Sequence, residues 1–177
     1  MKLASLVLAL ILILMPFQAA SAQGSVTIKI TLHTPAPKML AVEAGLTSSQ
    51  TEWNIGDVES GEVKKTAPEK TWCTITNRGN CSVNLSIKGE DAVDVDNPGY
   101  EWVLSDDGTN GKDRYALWYW IAWYSTDYTP ITTSERPFYS GLEVNETKQF
   151  GLKLQAPAEF EPGRSMETNI TISAVCS

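Results

Sequence analysis

An alternation of apolar with mostly polar residues constrains this chain more than any other feature. It recurs in segments 26–32, 81–87, 150–154 and 170–176, where every second residue is aliphatic, aromatic or cysteine. A period of two places successive side chains on opposite faces of an extended strand. No apolar stripe with a helical period persists for three turns. The sequence therefore predicts an all-β fold with strands that are buried on one face.

Turn sequences separate these strands at short intervals. They are Asn77-Arg78-Gly79-Asn80, Asn97-Pro98-Gly99, Asp107-Gly108, Asn110-Gly111 and Pro162-Gly163. Regularly spaced short strands with such turns are typical of a sandwich or barrel. We therefore expect a two-sheet antiparallel β-sandwich, Ig-like or jelly-roll-like, of eight or nine strands. A single domain should cover residues 38–177, a normal length for one core.

The first 22 residues read as a secretory signal peptide. One lysine precedes an apolar run of about ten residues, and Ala20-Ser21-Ala22 provides a small-residue cleavage site. The mature chain would then begin at Gln23 and be secreted to the cell exterior or surface. The net charge of −7 argues against nucleic acid and anionic lipid as partners, and no apolar run is long enough for membrane insertion.

Three cysteines make one disulfide the default expectation in an exported chain. Cys73 and Cys81 are closest in sequence and flank a turn, so we favour that pair among the three possible pairings. Cys176 would then keep a thiol or bridge to another chain. The single histidine and the lack of a CxxC pair argue against zinc.

The segment 23–37 combines a strongly patterned strand with a proline-rich linker. The apolar positions of the strand are Val26, Ile28, Ile30 and Leu32, and Pro35 and Pro37 follow. Such a strand, tethered by a semi-rigid spacer, could add to the sheet of a neighbouring copy. It could equally be the first strand of its own sandwich. Donation to a neighbour would produce self-assembly into a filament or homo-oligomer.

The segment 115–124 is rich in aromatic residues on both faces of a predicted strand. Trp118, Trp120 and Tyr124 share one face. They would form a surface on which sugar rings could stack, which would make cell-surface glycans a partner. Alternatively, they belong to the core or to a subunit interface, where tryptophan and tyrosine are enriched.

Two acidic loops and four sequons offer further candidate sites. The carboxylates of Asp94, Asp96, Asp106 and Asp107 could hold Ca²⁺, the one cofactor these loops would suit, although Asp is also common in ordinary solvated turns. Glycosylation acceptors of the form N-x-S/T occur at Asn80, Asn84, Asn145 and Asn169.

Three stretches carry a resemblance to known proteins. They are WNIGDV at 53–58 followed by Ser60-Gly61-Glu62, TWCTITNRGNCSVNLSIKG at 71–89, and the segment 141–174 with its Pro162-Gly163 turn. Their strand and turn pattern resembles exported β-sandwich surface and fibre proteins of the camelysin/TasA type and their archaeal pilus relatives. The resemblance implies a sandwich fold and an extracellular structural role.

Two functional hypotheses follow from these features. The first is a structural subunit of a surface fibre, pilus or biofilm matrix that assembles through its N-terminal strand. The second is a secreted adhesin-like or carbohydrate-binding module. An enzyme is not expected, because the only histidine, His33, lies beside the proline-rich linker and no nucleophile motif or singled-out carboxylate pair is present.

Overall fold

The four alternating segments are strands, as predicted, in a computed structural model that describes residues 23–33, 46–48, 51–67, 72–123 and 127–177. Thirteen strands and no helix occur in these residues, which confirms an all-β fold. Segment 1–22, Pro35, Pro37 and Tyr124 lie outside the described residues. The strands are β1 (Gln23–His33), β2 (Leu46–Ser48), β3 (Glu52–Glu59), β4 (Val63–Lys65), β5 (Cys73–Asn77), β6 (Val83–Gly89), β7 (Ala92–Asp94), β8 (Glu101–Leu104), β9 (Arg114–Ile121), β10 (Thr129–Ile131), β11 (Arg136–Leu142), β12 (Thr147–Gln155) and β13 (Ser165–Cys176).

The hydrogen-bonded ladders follow one continuous path, in the order β11-β6-β13-β7-β8-β9-β12-β5-β2. β1 and then β3 branch from β13, while β10 pairs with β9 and β4 pairs with β12. β8 makes the path continuous, because it is antiparallel to β7 and parallel to β9. The predicted sandwich of two separate sheets, with eight or nine strands in total, is therefore not confirmed. The higher count includes four strands of three residues, namely β2, β4, β7 and β10.

Distant parts of this path pack against each other around a shared apolar core. The ring of Phe138 on β11 lies 4.9 Å from that of Tyr119 on β9 and 5.3 Å from that of Phe150 on β12. The Tyr115 hydroxyl on β9 donates to Thr168 Oγ1 on β13 at 2.9 Å. Apolar side chains from both ends of the strand path are thus buried in one core, and their removal from water is the main stabilising contribution in such a fold.

The long final strand shows the predicted alternation clearly. Along β13 the residues Met166, Thr168, Ile170, Ile172 and Ala174 are buried, and the residues between them are more exposed. In a pleated strand this pattern means that one face meets the core and the other meets water. β13 lies between β6 and β1, so it organises the sheet around the N-terminal strand.

The predicted disulfide between Cys73 and Cys81 is wrong, because Cys81 bonds to Cys176 with a Cα–Cα distance of 5.8 Å. β6 and β13 are antiparallel neighbours, and their register places Cys176 opposite Val83, two residues from Cys81. Cys73 lies on β5, in a different ladder, and is fully buried in the core opposite Phe150. Burial raises the pKa of the Cys73 thiol to about 11.

Candidate functional site

The N-terminal strand β1 fills a slot between two other strands. It runs parallel to β13, with Ser25 opposite Ser165 and His33 opposite Ser173, and antiparallel to β3. Both of its edges are therefore hydrogen-bonded within the same chain. In this structure the strand completes its own sheet, which is the alternative that the sequence left open.

Three of the four predicted assembly residues of β1 supply the inner face of this slot. Val26, Ile28 and Ile30 are 1%, 0% and 4% exposed and belong to the core. Leu32 lies in the same strand, opposite Ile172 in the register. Burying an aliphatic side chain contributes roughly 1.5–3 kcal/mol, so these positions attach the strand firmly.

The outer face of β1 carries one ion pair. Lys29 Nζ lies 2.5 Å from Glu167 Oε1 on β13, and both side chains are substantially exposed. Exposed pairs of this kind contribute about 0–1 kcal/mol. The buried face, rather than this pair, therefore accounts for most of the attachment of β1.

The aromatic strand β9 is covered on both faces over most of its length. Tyr115, Leu117, Tyr119 and Ile121 belong to the core. On the other face Ala116 and Trp118 are buried, and Trp120 is half-buried. Trp118 and Trp120 therefore do not form an open, flat platform. The strand ends at Ile121, before Trp123.

Half-buried rings and two lysines gather over the outer face of β9. The Trp120 ring lies 5.0 Å from that of Trp72 and 6.2 Å from that of Tyr128. Lys153 Nζ lies 3.7 Å from the Trp118 ring centroid and 4.9 Å from that of Tyr128. We call this group the aromatic–lysine face; its members are Trp72, Trp118, Trp120, Tyr128, Lys65 and Lys153.

Strand register explains how the aromatic–lysine face forms. β12 lies between β9 and β4, so Lys153 is opposite Trp118 on one side and opposite Lys65 on the other. Partial burial and the neighbouring Lys65 charge lower the pKa of Lys153. Sequence reasoning missed both lysines and the rings of Trp72 and Tyr128. Lys153 occupies an outward-facing position in the alternating segment 150–154, and this position could have identified it as a surface residue of β12.

A glycine loop covers Trp118. Gly108 has φ +78°, and a Cβ added to it would lie 3.0 Å from Trp118 Nε1. Gly108→Ala should therefore destabilise the fold more than Gly141→Ala, since Gly141 has φ +69° but nothing within 4 Å of an added Cβ. Left-handed backbone alone costs an L-residue about 1–2 kcal/mol, and the contact with Trp118 adds to this cost. Urea unfolding of both variants checks the prediction; equal losses would contradict the packing of this loop on Trp118.

Three of the four predicted calcium ligands, Asp94, Asp106 and Asp107, accept hydrogen bonds through their carboxylates. Buried Asp94 accepts from Arg164 Nη1 at 2.9 Å and from the Asp96 backbone N–H at 3.1 Å. Asp107 accepts from Ser105 and Thr109, and these bonds lower its pKa. Asp106 accepts a long bond of 3.4 Å from Thr133. The described ranges contain no group of three or more His, Cys, Asp or Glu placed to hold a metal ion.

The four sequon asparagines lie in different surroundings. Asn80 is exposed in the turn before Cys81. Asn84 is exposed and accepts from the Gly141 backbone N–H at 3.0 Å. Asn145 is exposed with φ 63°, and its Oδ1 accepts from Arg78. Asn169 is half-buried, and its Nδ2, the atom to which a glycan would be attached, donates to Glu90 Oε2 at 3.0 Å.

Trp123 is the most exposed large apolar residue in the described part of the chain. Its side chain is 98% exposed, and its φ of 64° is rare for a non-glycine residue. It borders a surface pocket of about 390 Å³ that is also lined by Ala122, Thr147, Lys148 and Gln149. β9 ends at Ile121 and the backbone of Trp123 is left-handed, so the Trp123 side chain does not continue the buried face of that strand.

Comparisons with known proteins add little to these observations. No family model and no curated protein matches the sequence. Among solved structures, CfaE, the adhesive subunit of the CFA/I fimbria of enterotoxigenic Escherichia coli, is similar with 9% identity and a TM-score of 0.29. The match covers 84% of this chain and 46% of that chain, so this chain spans about half its length. A likeness at this level carries no argument about function.

The described residues also bear on cellular location. A disulfide between neighbouring strands is typical of proteins from oxidising compartments, which agrees with export. In the described ranges, no helix has the length and apolar character needed to cross a membrane.

Proposed function

We infer that this protein is an exported structural subunit of a surface fibre, pilus or biofilm matrix, in which β1 of one copy occupies the β3–β13 slot of the next. Such a head-to-tail contact does not close on itself, and it therefore generates a filament. The strand and turn motifs that resemble camelysin/TasA-type proteins favour the same role.

The observation that carries this proposal is the position of β1. The strand lies at the start of the described chain, yet it fills an interior slot with hydrogen bonds on both edges and three buried side chains. Residues 34–45 connect it to β2, and at full extension they could reach roughly 40 Å. The same backbone pairing and the same pockets could thus receive β1 from a neighbouring copy.

Cross-linking between two tagged copies tests this proposal. Thr27 on β1 and Glu167 on β13 are directly opposite in the parallel register. We expect one copy with Thr27→Cys and another with Glu167→Cys, expressed together, to form a disulfide-linked pair. Lys112→Cys, which is exposed and outside the slot, replaces Glu167→Cys as the control and should not cross-link.

The chain with both cysteines provides the opposing outcome. If Thr27→Cys and Glu167→Cys bond readily within one chain but never between copies, β1 stays in its own sheet. Strand exchange would then be rejected, and with it the proposed assembly mechanism.

A second candidate function, a secreted adhesin-like or carbohydrate-binding module, is favoured by the aromatic–lysine face. Half-buried indole and phenol rings at the surface can stack on the C–H face of a sugar, and lysines beside them can hydrogen-bond to it. If tryptophan fluorescence stays unchanged on titration with soluble oligosaccharides and the protein is a monomer, this function is disfavoured.

A further inference from the structure

Two lysines of the aromatic–lysine face are placed directly opposite each other. Lys65 on β4 and Lys153 on β12 are register partners in an antiparallel pair. Like charges at such positions repel, which normally destabilises the pair. Among the described residues no carboxylate forms an ion pair with either lysine, although acidic residues outnumber basic ones by 21 to 14 in the whole sequence.

Both ammonium groups lie near the same aromatic ring. Lys65 Nζ lies 5.7 Å and Lys153 Nζ 4.9 Å from the ring centroid of Tyr128. A cation over an aromatic face is attracted by the negative charge density of the ring, so the rings help to offset the repulsion. Both charges therefore converge on one ring, where a single anionic group could reach them together.

The half-buried rings next to the two lysines are those of Trp120 and Tyr128. Trp118 is only 8% exposed, because Lys153 and the Gly108 loop cover it. Trp120 and Tyr128 are half-buried and adjacent, and Trp72 supports Trp120 from the side. The planes of these two rings are inclined by 45°, so a puckered sugar ring that contacts both would lie next to the two ammonium groups.

We propose that the aromatic–lysine face binds an acidic sugar, a uronic acid unit of a glycan chain, with its ring on Trp120 and Tyr128 and its carboxylate between Lys65 and Lys153. This inference rests on the second candidate function, and it adds the class of ligand. Rings alone would accept a neutral sugar, but they would leave the two lysines uncompensated. A carboxylate removes their repulsion and accepts charge-assisted hydrogen bonds from both.

Titration with matched probes tests the inference. The mature chain is titrated with trigalacturonic acid, with its trimethyl ester, and with pentaglutamate, and binding is followed by tryptophan fluorescence and calorimetry. The ester keeps the sugar rings and removes the charge. The test variant is Lys65→Gln/Lys153→Gln. The control variant is Lys64→Gln/Lys88→Gln, which removes the same number of charges outside this face.

We expect trigalacturonic acid to bind at least tenfold more tightly than its ester, and the Lys65/Lys153 variant to lose this preference. Loss of two charged hydrogen bonds is sufficient for about tenfold or more. The Lys64/Lys88 variant should bind as the unmodified protein does. Equal melting temperatures of the two variants would show that the effect is not caused by unfolding.

Three results would overturn the inference in distinguishable ways. Equal binding of the acid and the ester would retain the carbohydrate-binding function but reject the acidic ligand. No binding of either sugar would reject both the inference and the function on which it rests. Binding of pentaglutamate without binding of the sugars would identify an acidic peptide surface instead.

Discussion

Ile28→Asn should unfold most of the protein at room temperature. Ile28 is completely buried in the middle of β1, between β3 and β13. Truncation of a buried isoleucine costs about 2–5 kcal/mol, and an amide without hydrogen-bond partners in its place adds about 1–3 kcal/mol. The total approaches the whole stability of an ordinary domain, which is about 5–15 kcal/mol. Urea unfolding followed by tryptophan fluorescence measures the loss.

Lys29→Asn is the matched control for this prediction. It places the same residue one position further along β1, on the exposed face, and removes only the ion pair with Glu167. We expect a loss of no more than about 1 kcal/mol. Large losses of stability for both variants would contradict the assignment of Ile28 to the buried face of β1 and Lys29 to the exposed face. Small losses for both would mean that β1 contributes little to the stability of this fold.

The same comparison bears on assembly, because a donated strand would fill the same pockets. Ile28→Asn should prevent inter-copy cross-linking between Thr27→Cys and Glu167→Cys, whereas Lys29→Asn should permit it. Continued cross-linking with Ile28→Asn would show that β1 and β13 of two copies meet without filling of the buried pockets.

The strands were largely predictable because burial alternates along them. Residues 166–174 alternate between the core and the surface, and so do the corresponding positions of β1 and β6. The continuous ladder was not predictable from this pattern. It depends on β8, four residues long, which pairs with β9 through only Val103 and Leu104. Short strands of this kind carry too few residues to show a period.

The disulfide shows why distance along the chain is a poor guide to distance in a sheet. Cys73 and Cys81 are close in sequence, but Cys73 lies on β5 while Cys81 precedes β6, and these two strands do not pair with each other. Cys81 and Cys176 are separated by 95 residues, yet antiparallel pairing of β6 and β13 brings them together. Pairing of nonconsecutive strands is a property of the whole fold, and no local pattern encodes it.

The candidate site was predicted in part for a similar reason. The rings of Trp118 and Trp120 were evident from the aromatic run, and their shared face was correct. The lysines were not, because Lys65, Lys153 and Tyr128 come from three separate strands or loops that only the register brings together. A surface built across strands therefore needs the ladder order before its charge can be recognised.

Removal of the Cys81–Cys176 disulfide should produce the second large loss of stability. The bond closes a loop across a separation of 95 residues, and a crosslink of that span restricts the unfolded chain by roughly 4–5 kcal/mol in the chain-entropy account. It also fixes the end of β13, where the Ser177 backbone N–H donates to the Ser82 carbonyl at 2.9 Å. We expect Cys81→Ala/Cys176→Ala to lose about 2–5 kcal/mol in urea unfolding under oxidising conditions.

Dithiothreitol separates the effect of the bond from that of the side chains. The unmodified protein and Cys73→Ala should both lose stability on reduction, by similar amounts, because each retains the Cys81–Cys176 bond. Cys81→Ala/Cys176→Ala should be insensitive to the reductant. If Cys73→Ala were the insensitive variant instead, Cys73 would be part of the disulfide, and the predicted pair with Cys81 would be restored. Because β13 also forms one side of the β1 slot, loss of the disulfide should weaken strand exchange as well as the fold. Cross-linking between Thr27→Cys and Glu167→Cys copies that both carry Cys81→Ala/Cys176→Ala measures that coupling, because the introduced thiols stay reactive.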